Sequence, residues 1–239
     1  MRNSLSPRQG GTVTSTRQVS AFDIIGPIMV GPSSSHTAGA VRLGQIGRAI
    51  LGDQPTEAHI ELHGSFAQTG KGHGTDKAII AGLLGLATED DRIRHSFELA
   101  KEAGLHFTFA AVDLGDDVHP NSVRMTLKRG PQQVQITGAS VGGGMVEITN
   151  IEGYEARFGG EYETLLVISK DRPGTINAIT GWLLRHNINI AFFRVERQRR
   201  GGEAIMVIET DDPIPDEMVE AIEDFPWVRW VRNISKVSG

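Results

Sequence analysis

Apolar side chains recur with two different spacings in the first two thirds of the chain. Leu43, Ile46 and Ile50 follow the i, i+3, i+7 spacing of a helix, predicted over residues 37–51, whereas residues 58–63 alternate apolar and polar side chains as a half-buried strand does. Further strands are predicted at residues 105–112, 122–128, 133–137 and 145–151, and further helices at residues 92–104 and after a cap at Thr75 or Asp76. The pattern predicts an α/β domain.

The apolar pattern changes near residue 160. A strand is predicted at residues 164–169, then a helix that buries Ile176, Ile179 and Leu183, strands at 189–195 and 204–208, a helix at 215–225 and a strand at 228–234. This βαββαβ order is the ferredoxin-like arrangement, so the expected fold class is α/β (α+β) with two domains. The polar stretch at residues 152–160 is interpreted as the connector between them.

The predicted domains span residues 20–155 and 162–239. Residues 1–19 are rich in Ser, Thr, Arg, Gln and Gly and have no apolar periodicity, so they are predicted to be a disordered tail.

Two glycine-rich stretches interrupt the first domain. The sequence GSFAQTGKGHGTD at residues 64–76 is interpreted as a loop that wraps a ligand, because glycine lets the backbone approach closely. Lys71 and His73 place a cation and a titratable donor in it, and the alternative is a solvated loop. The sequence GASVGGG at residues 138–144 is either a wide turn or another ligand-facing loop.

Composition narrows the possible functions. The 239 residues are 39% hydrophobic and 22% charged, and the formal net charge is −5. That charge gives no electrostatic footprint for nucleic acid or for an anionic membrane surface. No apolar run approaches the roughly 20 residues that span a bilayer, and the N-terminus lacks the apolar core of a secretion signal. We therefore expect a cytoplasmic protein.

The sequence contains no cysteine, which excludes a disulfide, a thiolate nucleophile and a cysteine-ligated iron–sulfur cluster within this chain. Histidines at positions 36, 59, 63 and 73 could in principle bind a metal ion, but only His59 and His63 are close in sequence. Their spacing on a predicted strand, with no partnering carboxylate, is not a zinc motif. We expect no metal ligand from this chain.

Candidate chemistry is densest in the sequence GPIMVGPSSSHTAG at residues 26–39. Its two Gly-Pro steps favour turn and extended backbone, and its serines can cap the helix that follows. Hydroxyls and free N–H groups at a helix N-terminus suit a small anion, and His36 adds a group that exchanges protons near neutral pH. The alternative is an ordinary helix cap with a surface histidine.

The segment GPSSSHT at residues 31–37, with Gly39, closely resembles the signature of the beta chain of bacterial iron–sulfur-dependent L-serine dehydratase. The resemblance extends from about Ala21 to the C-terminus, and residues 64–76 resemble that family's second motif. The first domain also resembles the allosteric substrate-binding domain of phosphoglycerate dehydrogenase. The second, with DRPG after its first strand and NINI at residues 187–190, looks like an ACT domain.

The resemblance implies the beta subunit of an L-serine ammonia-lyase that converts L-serine to pyruvate and ammonia. It implies a 4Fe-4S cluster ligated by three cysteines of a separate alpha chain, with one iron open as a Lewis acid for the substrate. His36 would be the catalytic base for the Cα proton. The substrate-binding residues implied are Ser33, Ser34, Ser35 and Thr37 around the carboxylate, with Lys71 and His73 completing the pocket wall.

The ACT resemblance implies homo-oligomerisation and an effector site at Asp171, Gly174 and Asn189. Asn189 matches serine-binding relatives, but they often have asparagine at the position of Asp171 and histidine at that of Ser169, so effector binding stays open.

A non-catalytic regulatory module that binds a small amino acid or an anion is the alternative function. It differs in needing no proton-transfer group. A pyridoxal-phosphate dehydratase is rejected, because the chain is too short and Lys71 is in the wrong setting.

Overall fold

The computed structural model describes residues 33–237, apart from the side chain of Lys71. Two predicted features lie outside the described residues. They are the tail at residues 1–19 and residues 26–32, which begin the segment GPIMVGPSSSHTAG.

A six-stranded sheet, covered on one face by helices, forms the first half. Its strand order is β2-β1-β3-β4-β5-β6, in which β1 and β2 are parallel and the other neighbours antiparallel. The strands are β1 Glu57–His63, β2 His106–Val112, β3 Ser122–Arg129, β4 Gln132–Gly142, β5 Met145–Ile151 and β6 Tyr154–Phe158. The helical elements are a π-helical turn Ser34–Gly39, α1 Ala40–Leu51, α2 Gly64–His73, α3 Thr75–Leu83, a 3-10 turn Asp91–His95 and α4 Ser96–Glu102.

Glycines let α1 pack closely against its neighbours. A Cβ atom at Gly44 would meet the backbone of α3, and one at Gly82 of α3 would meet the backbone of α1. A Cβ atom at Gly47 would lie 3.1 Å from side-chain atoms of Leu127 and Met125 on the sheet. The glycines of α1 therefore serve both helix–helix and helix–sheet contacts, which offsets their cost to helix stability.

The second half is a four-stranded antiparallel sheet in the order β10-β7-β9-β8, with two helices on one face. Its elements are β7 Glu163–Lys170, α5 Thr175–Arg185, β8 Ile190–Arg197, β9 Glu203–Thr210, α6 Asp216–Glu223 and β10 Val228–Ile234. This confirms the predicted βαββαβ order and the ferredoxin-like arrangement.

The two halves share one hydrophobic core. One face of the second sheet packs against α5 and α6, while Leu166, Ile168 and Ile205 on its other face join the core of the first half. Because β7 is buried on both faces, its sequence is continuously apolar rather than alternating. Arg232 of β10 donates from Nε to the carbonyl of Ile50 at 2.9 Å, which ties the second sheet to the end of α1.

The interpretation of residues 64–76 as a loop is wrong, because α2 occupies most of this stretch. Phe66 is fully buried and anchors the helix in the core. Gly64 and Gly74 have φ angles of +54° and +72°, so these glycines mark the two ends of α2. The predicted cap at Thr75 or Asp76 is also wrong: α3 is preceded by Gly74 without a side-chain cap.

Smaller corrections concern four other segments. Residues 152–160 are not only a connector, because β6 pairs there with β5. The helix predicted at residues 92–104 is divided into a 3-10 turn and α4. Residues 138–142 continue β4, so the glycine-rich stretch forms a hairpin turn with positive φ at Gly143 and Gly144. Ile176, predicted to be buried, is 46% exposed.

Candidate active site

The signature segment begins the first helical unit one turn earlier than its apolar pattern indicates. Ser33 is extended, with φ −145° and ψ 125°, and its hydroxyl accepts a hydrogen bond from the His36 N–H at 3.3 Å. The chain then continues through the π-helical turn directly into α1. π-Helical turns are rare and often occur at functional sites.

Hydroxyl groups surround both nitrogens of the half-buried His36 ring. Nδ1 lies 3.4 Å from the Oγ of Ser33 and 3.3 Å from the Oγ of Ser35. Nε2 lies 3.3 Å from the Oγ of Ser65 and 3.1 Å from the Oγ1 of Thr69, both on α2. The π-helical turn and α2 therefore meet at this imidazole.

The hydroxyl proton of Thr69 indicates which His36 nitrogen carries hydrogen. Thr69 donates from Oγ1 to the carbonyl of Ser65 at 2.8 Å, so its oxygen is left to accept a hydrogen bond from Nε2 of His36. We assign the proton to Nε2 on this network, which leaves the lone pair on Nδ1, facing the signature serines.

Burial lowers the pKa of His36, and the nearby His73 ring lowers the pKa further by charge repulsion, while the backbone of Ser65 opposes both. The centroids of the His36 and His73 rings are 4.9 Å apart. Phe66 lies edge-on to His36 with the ring centroids 5.3 Å apart and supplies part of the apolar surroundings. His36 is therefore predominantly neutral at pH 7 and can accept a proton.

The β4–β5 hairpin supports the π-helical turn from the sheet. Ser140 lies so close to Gly39 that a Cβ atom there would collide with the serine side chain. The Ser140 N–H is held by the carbonyl of Asn121 at 3.0 Å. Arg42 of α1 is buried and donates from Nη1 to the carbonyl of Gly144 at 2.7 Å. The glycine-rich hairpin thus fixes the backbone beneath the site.

Two further signature hydroxyls have no protein partner within residues 33–237. Thr37 is 3% exposed, and its Oγ1 is buried without a hydrogen bond. Ser34, at the start of the π-helical turn, makes no side-chain hydrogen bond to the described part of the chain. Buried polar groups are normally paired, so the Thr37 hydroxyl is an exception among the described residues, while the half-buried Ser34 hydroxyl is available to a ligand.

The structure brings together Ser33, Ser35, His36 and His73 of the predicted site. It adds Ser65 and Thr69, which the sequence interpretation missed. Their i, i+4 spacing would place both hydroxyls on one helix face, but only once residues 64–73 are known to be helical.

The three predicted effector residues do not meet within one chain. Strands β7 and β8 both run antiparallel to β9, so the end of β7 and the start of β8 lie at opposite ends of the sheet. Asp171 accepts hydrogen bonds from Arg197 at 3.2 Å and from the Gly201 N–H at 3.0 Å. At the other end, Asn189 donates to Asp211 at 2.6 Å. These polar groups are already paired, and Gly174, also predicted, precedes α5 beside Asp171.

The residues of this chain do not fit an iron–sulfur cluster. The sequence has no cysteine, and the described residues contain no group of three or more His, Asp or Glu side chains arranged for a metal ion. His59 is instead paired with Thr108 at 2.8 Å, and His63 accepts from the Leu114 N–H at 3.2 Å. Between residues 33 and 237, no helix has the length and hydropathy to span a membrane.

Comparisons with known proteins agree with this architecture. The family model for the serine dehydratase beta chain matches residues 20–104, and that for the ACT domain matches residues 164–226. The probable L-serine dehydratase beta chain of Bacillus subtilis (strain 168) is 41% identical over 216 residues, which cover 90% of this chain and 98% of that protein.

Two other relatives bear on function. The L-serine dehydratase beta chain of Peptoniphilus asaccharolyticus is 41% identical over 204 residues, covering 85% of this chain and 92% of that protein. D-3-phosphoglycerate dehydrogenase of Methanocaldococcus jannaschii is 31% identical over 120 residues, covering 50% of this chain and 23% of that enzyme. Because the first two matches extend over nearly the whole of both proteins, the chain belongs to the family of L-serine dehydratase beta chains and carries a C-terminal ACT domain.

Proposed function

We propose that this chain is the beta subunit of a cytoplasmic, two-chain L-serine ammonia-lyase, which converts L-serine to pyruvate and ammonia. The 4Fe-4S cluster belongs to a separate alpha chain with the cysteines that this sequence lacks. The names of the two 41% identical relatives support the activity and the division into chains. We therefore derive only what residues of this chain contribute.

The single observation that carries the proposal is the position of the His36 imidazole between four hydroxyl groups. Its Nε2–H is held by Thr69, at 3.1 Å, and its lowered pKa keeps Nδ1 unprotonated near pH 7. Nδ1 removes the Cα proton of serine, and the resulting imidazolium keeps its Nε2–H bond to Thr69. Thr69 is thus a positioning residue, because it acts through the histidine.

Hydroxyls of the signature segment hold the substrate carboxylate. Ser34 and Thr37 have no partners among the described residues, and Ser33 and Ser35 stand beside Nδ1 of His36. Together with the N–H groups of the helix start, they bind the carboxylate so that the Cα–H bond faces the histidine. His73 completes the wall of the pocket, and the role that the resemblance implies for Lys71 stays a prediction.

The reaction balances as an elimination. The Cα proton moves to His36, a Cα–Cβ double bond forms, and the Cβ hydroxyl leaves as hydroxide on the alpha-chain side of the site. That hydroxide and the proton held by His36 together make one water. The product is aminoacrylate, which tautomerises to the imine and reacts with water to give pyruvate and ammonia.

Co-expression with a cysteine-bearing alpha chain, followed by an anaerobic assay for pyruvate from L-serine, tests this function. The pair should be active and contain iron and sulfide, whereas the chain purified alone should be colourless and release no pyruvate. Stoichiometric iron and sulfide in the chain expressed alone would contradict the divided site.

A second candidate is a regulatory module that binds an anion or a small amino acid without chemistry. The observation that favours it is the 31% identity to a D-3-phosphoglycerate dehydrogenase over half of this chain. An effector site has no need of a neutral histidine with an oriented lone pair. Near-normal turnover after replacement of His36 would make this candidate the better one.

We also propose that residues 162–239, although packed on the core of the first half, form the domain that joins copies of the chain. β8 is an edge strand of the four-stranded sheet, and unpaired edges favour pairing with another strand. Pairing two copies would allow Asp171 and Gly174 of one to approach Asn189 of the other. An effector site of that kind would require the dimer.

A further inference from the structure

Asn121 stands immediately before β3, at the end of the first sheet that carries the π-helical turn and α2. Its carbonyl accepts a hydrogen bond from the Ser140 N–H at 3.0 Å, so the antiparallel pairing of β3 with β4 continues to this residue. Continuing the register of β3 with β1 places Gly64 opposite Asn121 on its other side. Asn121 therefore lies between Gly64 and Ser140 on adjacent strands.

Both neighbours of Asn121 belong to the surroundings of His36. Gly64 directly precedes Ser65, whose Oγ lies 3.3 Å from Nε2 of His36. Ser140 lies against the π-helical turn, where a glycine leaves room for its side chain. Asn121 is therefore flanked by the two elements that surround the imidazole.

The side chain of Asn121 lies on the face of the sheet that the helices cover. Side chains alternate between the two faces along a strand, and Val123 and Met125, which follow Asn121 at this spacing, are fully buried in the core. Ser140, the partner on β4, projects to the same face, because its side chain meets the π-helical turn. The carboxamide thus lies on the same side of the sheet as His36.

The carboxamide oxygen of Asn121 has no hydrogen-bond partner. Oδ1 is buried, and no group among the described residues donates to it. Buried polar atoms are normally paired, because desolvation without a hydrogen bond is unfavourable. An unpaired acceptor beside a reaction site therefore indicates a ligand that donates to it.

The backbone around Asn121 is held in place. The Asn121 N–H donates to Nδ1 of His119 at 3.1 Å, and Ser122 Oγ donates to the His119 carbonyl at 2.6 Å. Pro120 has a restricted φ angle and packs so closely on Gly64 that a Cβ atom there would collide with it. This turn holds the carboxamide in position before a ligand arrives, which reduces the entropy lost on binding.

The proposed reaction leaves one group of the substrate without a partner. The carboxylate is assigned to the signature hydroxyls, the Cα hydrogen to His36 and the Cβ hydroxyl to the alpha-chain side. The α-ammonium group is a hydrogen-bond donor only and needs acceptors. Among the described residues, the side chains in contact with the His36 ring include no carboxylate: they are Ser33, Ser35, Ser65, Phe66, Thr69 and His73.

We propose that Asn121 is a substrate-binding residue whose Oδ1 accepts a hydrogen bond from the α-ammonium group of L-serine. The inference rests on the proposed function, because it concerns the same site. An oxygen that accepts from a cation makes a charge-assisted hydrogen bond, which burial strengthens. A carboxylic acid with no amino group leaves Oδ1 unpaired, so Asn121 selects amino acids over such acids.

The test compares two inhibitors of the assembled enzyme, L-alanine and propanoate. L-Alanine lacks the hydroxyl that is eliminated, and propanoate lacks the amino group as well. Their inhibition constants against L-serine are measured from pyruvate release. We expect the wild type to bind L-alanine more tightly than propanoate, and this preference to fall roughly tenfold in Asn121→Leu. The ratio of the two constants does not depend on how much of a variant folds, because unfolded enzyme releases no pyruvate.

A second substitution distinguishes the ammonium group from the carboxylate. Asn121→Asp keeps an acceptor, so it should retain the preference for L-alanine. If Asn121 bound the carboxylate through Nδ2, Asn121→Leu would weaken both inhibitors equally, and Asn121→Asp would weaken both further by charge repulsion. That result, an unchanged ratio in Asn121→Leu, or equal inhibition of the wild type by the two compounds would overturn the proposal.

The matched control is Asn233→Leu. Asn233 also has a buried Oδ1 without a partner, but it lies in β10, where its Nδ2 donates to the Ile214 carbonyl at 3.0 Å. This substitution should lower Tm and leave the ratio at the wild-type value. A fall in the ratio as large as in Asn121→Leu would attribute the effect to lost stability and would overturn the proposal.

Failure of this inference and failure of the proposed function are distinguishable. Absence of pyruvate release from the assembled wild-type enzyme would contradict the function. Calorimetry with L-alanine and propanoate measures the same ratio in an assembled pair without turnover, so Asn121 is tested in either case. An active enzyme in which Asn121→Leu keeps the wild-type ratio would overturn this inference alone.

Discussion

Two turns of this molecule precede a helix: the π-helical turn before α1, and residues 171–174 before α5, here called the ACT turn. They differ in whether their polar side chains have hydrogen-bond partners. At the π-helical turn, hydroxyls gather around His36, while Thr37 and Ser34 keep hydroxyls without partners among the described residues. At the ACT turn, the carboxylate of Asp171 is bound to Arg197 and to the Gly201 N–H. The turn before α1 thus leaves polar side chains without partners among the described residues, whereas the carboxylate at the turn before α5 is already hydrogen-bonded within the protein.

The difference shows that a loop before a helix is not by itself a binding site. What distinguishes the first turn is a second element, α2, which brings Ser65 and Thr69 against the far side of the ring. The ACT turn instead has the β8–β9 hairpin beside it, which supplies a cation and an N–H group to the acidic residue. Five experiments test this contrast.

The largest effect is expected from His36→Ala in the assembled enzyme. Loss of a general base should lower kcat by roughly 10² to 10⁴, with a much smaller change in KM, because the hydroxyls still hold the carboxylate. Steady-state kinetics of pyruvate release measures both constants. His59→Ala is the matched control: His59 is paired with Thr108 on the exposed sheet face, so its kcat should stay within about twofold of wild type.

Ser34→Ala should change KM more than kcat. Removing one hydrogen bond to a charged carboxylate should raise KM roughly tenfold and lower kcat less. Ser34→Thr, which keeps the hydroxyl, should restore most of the affinity. A larger loss in kcat than in KM would place this hydroxyl at the reacting atoms instead.

Thr69→Val removes the acceptor of the Nε2–H of His36 while keeping the shape of the side chain. Loss of this hydrogen bond, worth about 1 kcal/mol, should lower kcat about fivefold, and Thr69→Ser should restore it. The matched control is Thr108→Val, which breaks the equivalent bond to His59 without affecting turnover. An unchanged kcat in Thr69→Val would show that the ring needs no such support.

His73→Gln should move the pH profile. The base must be neutral, so activity falls as the pH decreases through the pKa of His36, which burial and His73 hold below its ordinary value. Removing the charge of His73 takes away one of these causes. The pKa of His36 should therefore rise, and the acid limb of kcat/KM should shift to higher pH. A limb at the wild-type position would contradict the electrostatic coupling of the two rings.

The smallest effect is expected in the second sheet, where the polar side chain of Asn189 is already hydrogen-bonded. Asn189→Ala loses the exposed hydrogen bond to Asp211, which should cost about 0.5 kcal/mol in the free energy of unfolding and leave kcat unchanged. Denaturant unfolding and pyruvate kinetics measure the two quantities. A change in kcat beyond about twofold would mean that this end of the sheet communicates with His36.

Much of the fold could be predicted because the spacing of apolar residues matches the faces that the helices and strands bury. The alternation of β1 and the continuous apolar run of β7 each follow from the number of faces that the strand buries. The failure at α2 has a physical reason: glycine-rich composition favours a loop, but burial of Phe66 outweighs the cost of Gly70 and Gly72 within a helix. Tertiary contacts therefore decided what local propensity could not.

The site residues that are close to His36 in sequence could be predicted, but those that reach it through tertiary packing could not. His36 and the signature serines lie within four residues of one another, so their chemistry can be seen in the sequence. Ser65 and Thr69 are about thirty residues away and meet His36 only through the packing of α2. The effector site predicted at Asp171 and Asn189 shows the opposite case. Both residues lie close to α5 in sequence, but β7 and β8 run parallel to each other and place the two residues at opposite ends of the sheet.

The hydrogen bond from Arg232 to the last turn of α1 has a mechanical consequence. α1 has 12 residues, so the π-helical turn and the second sheet lie at the two ends of a stiff helix about 18 Å long. A tilt of only about 5° at the Arg232 end would displace the other end by about 1.6 Å. If His36 is the base, a displacement of about 1 Å at that end would cost roughly 10²-fold in rate, so a movement of the second sheet would lower turnover.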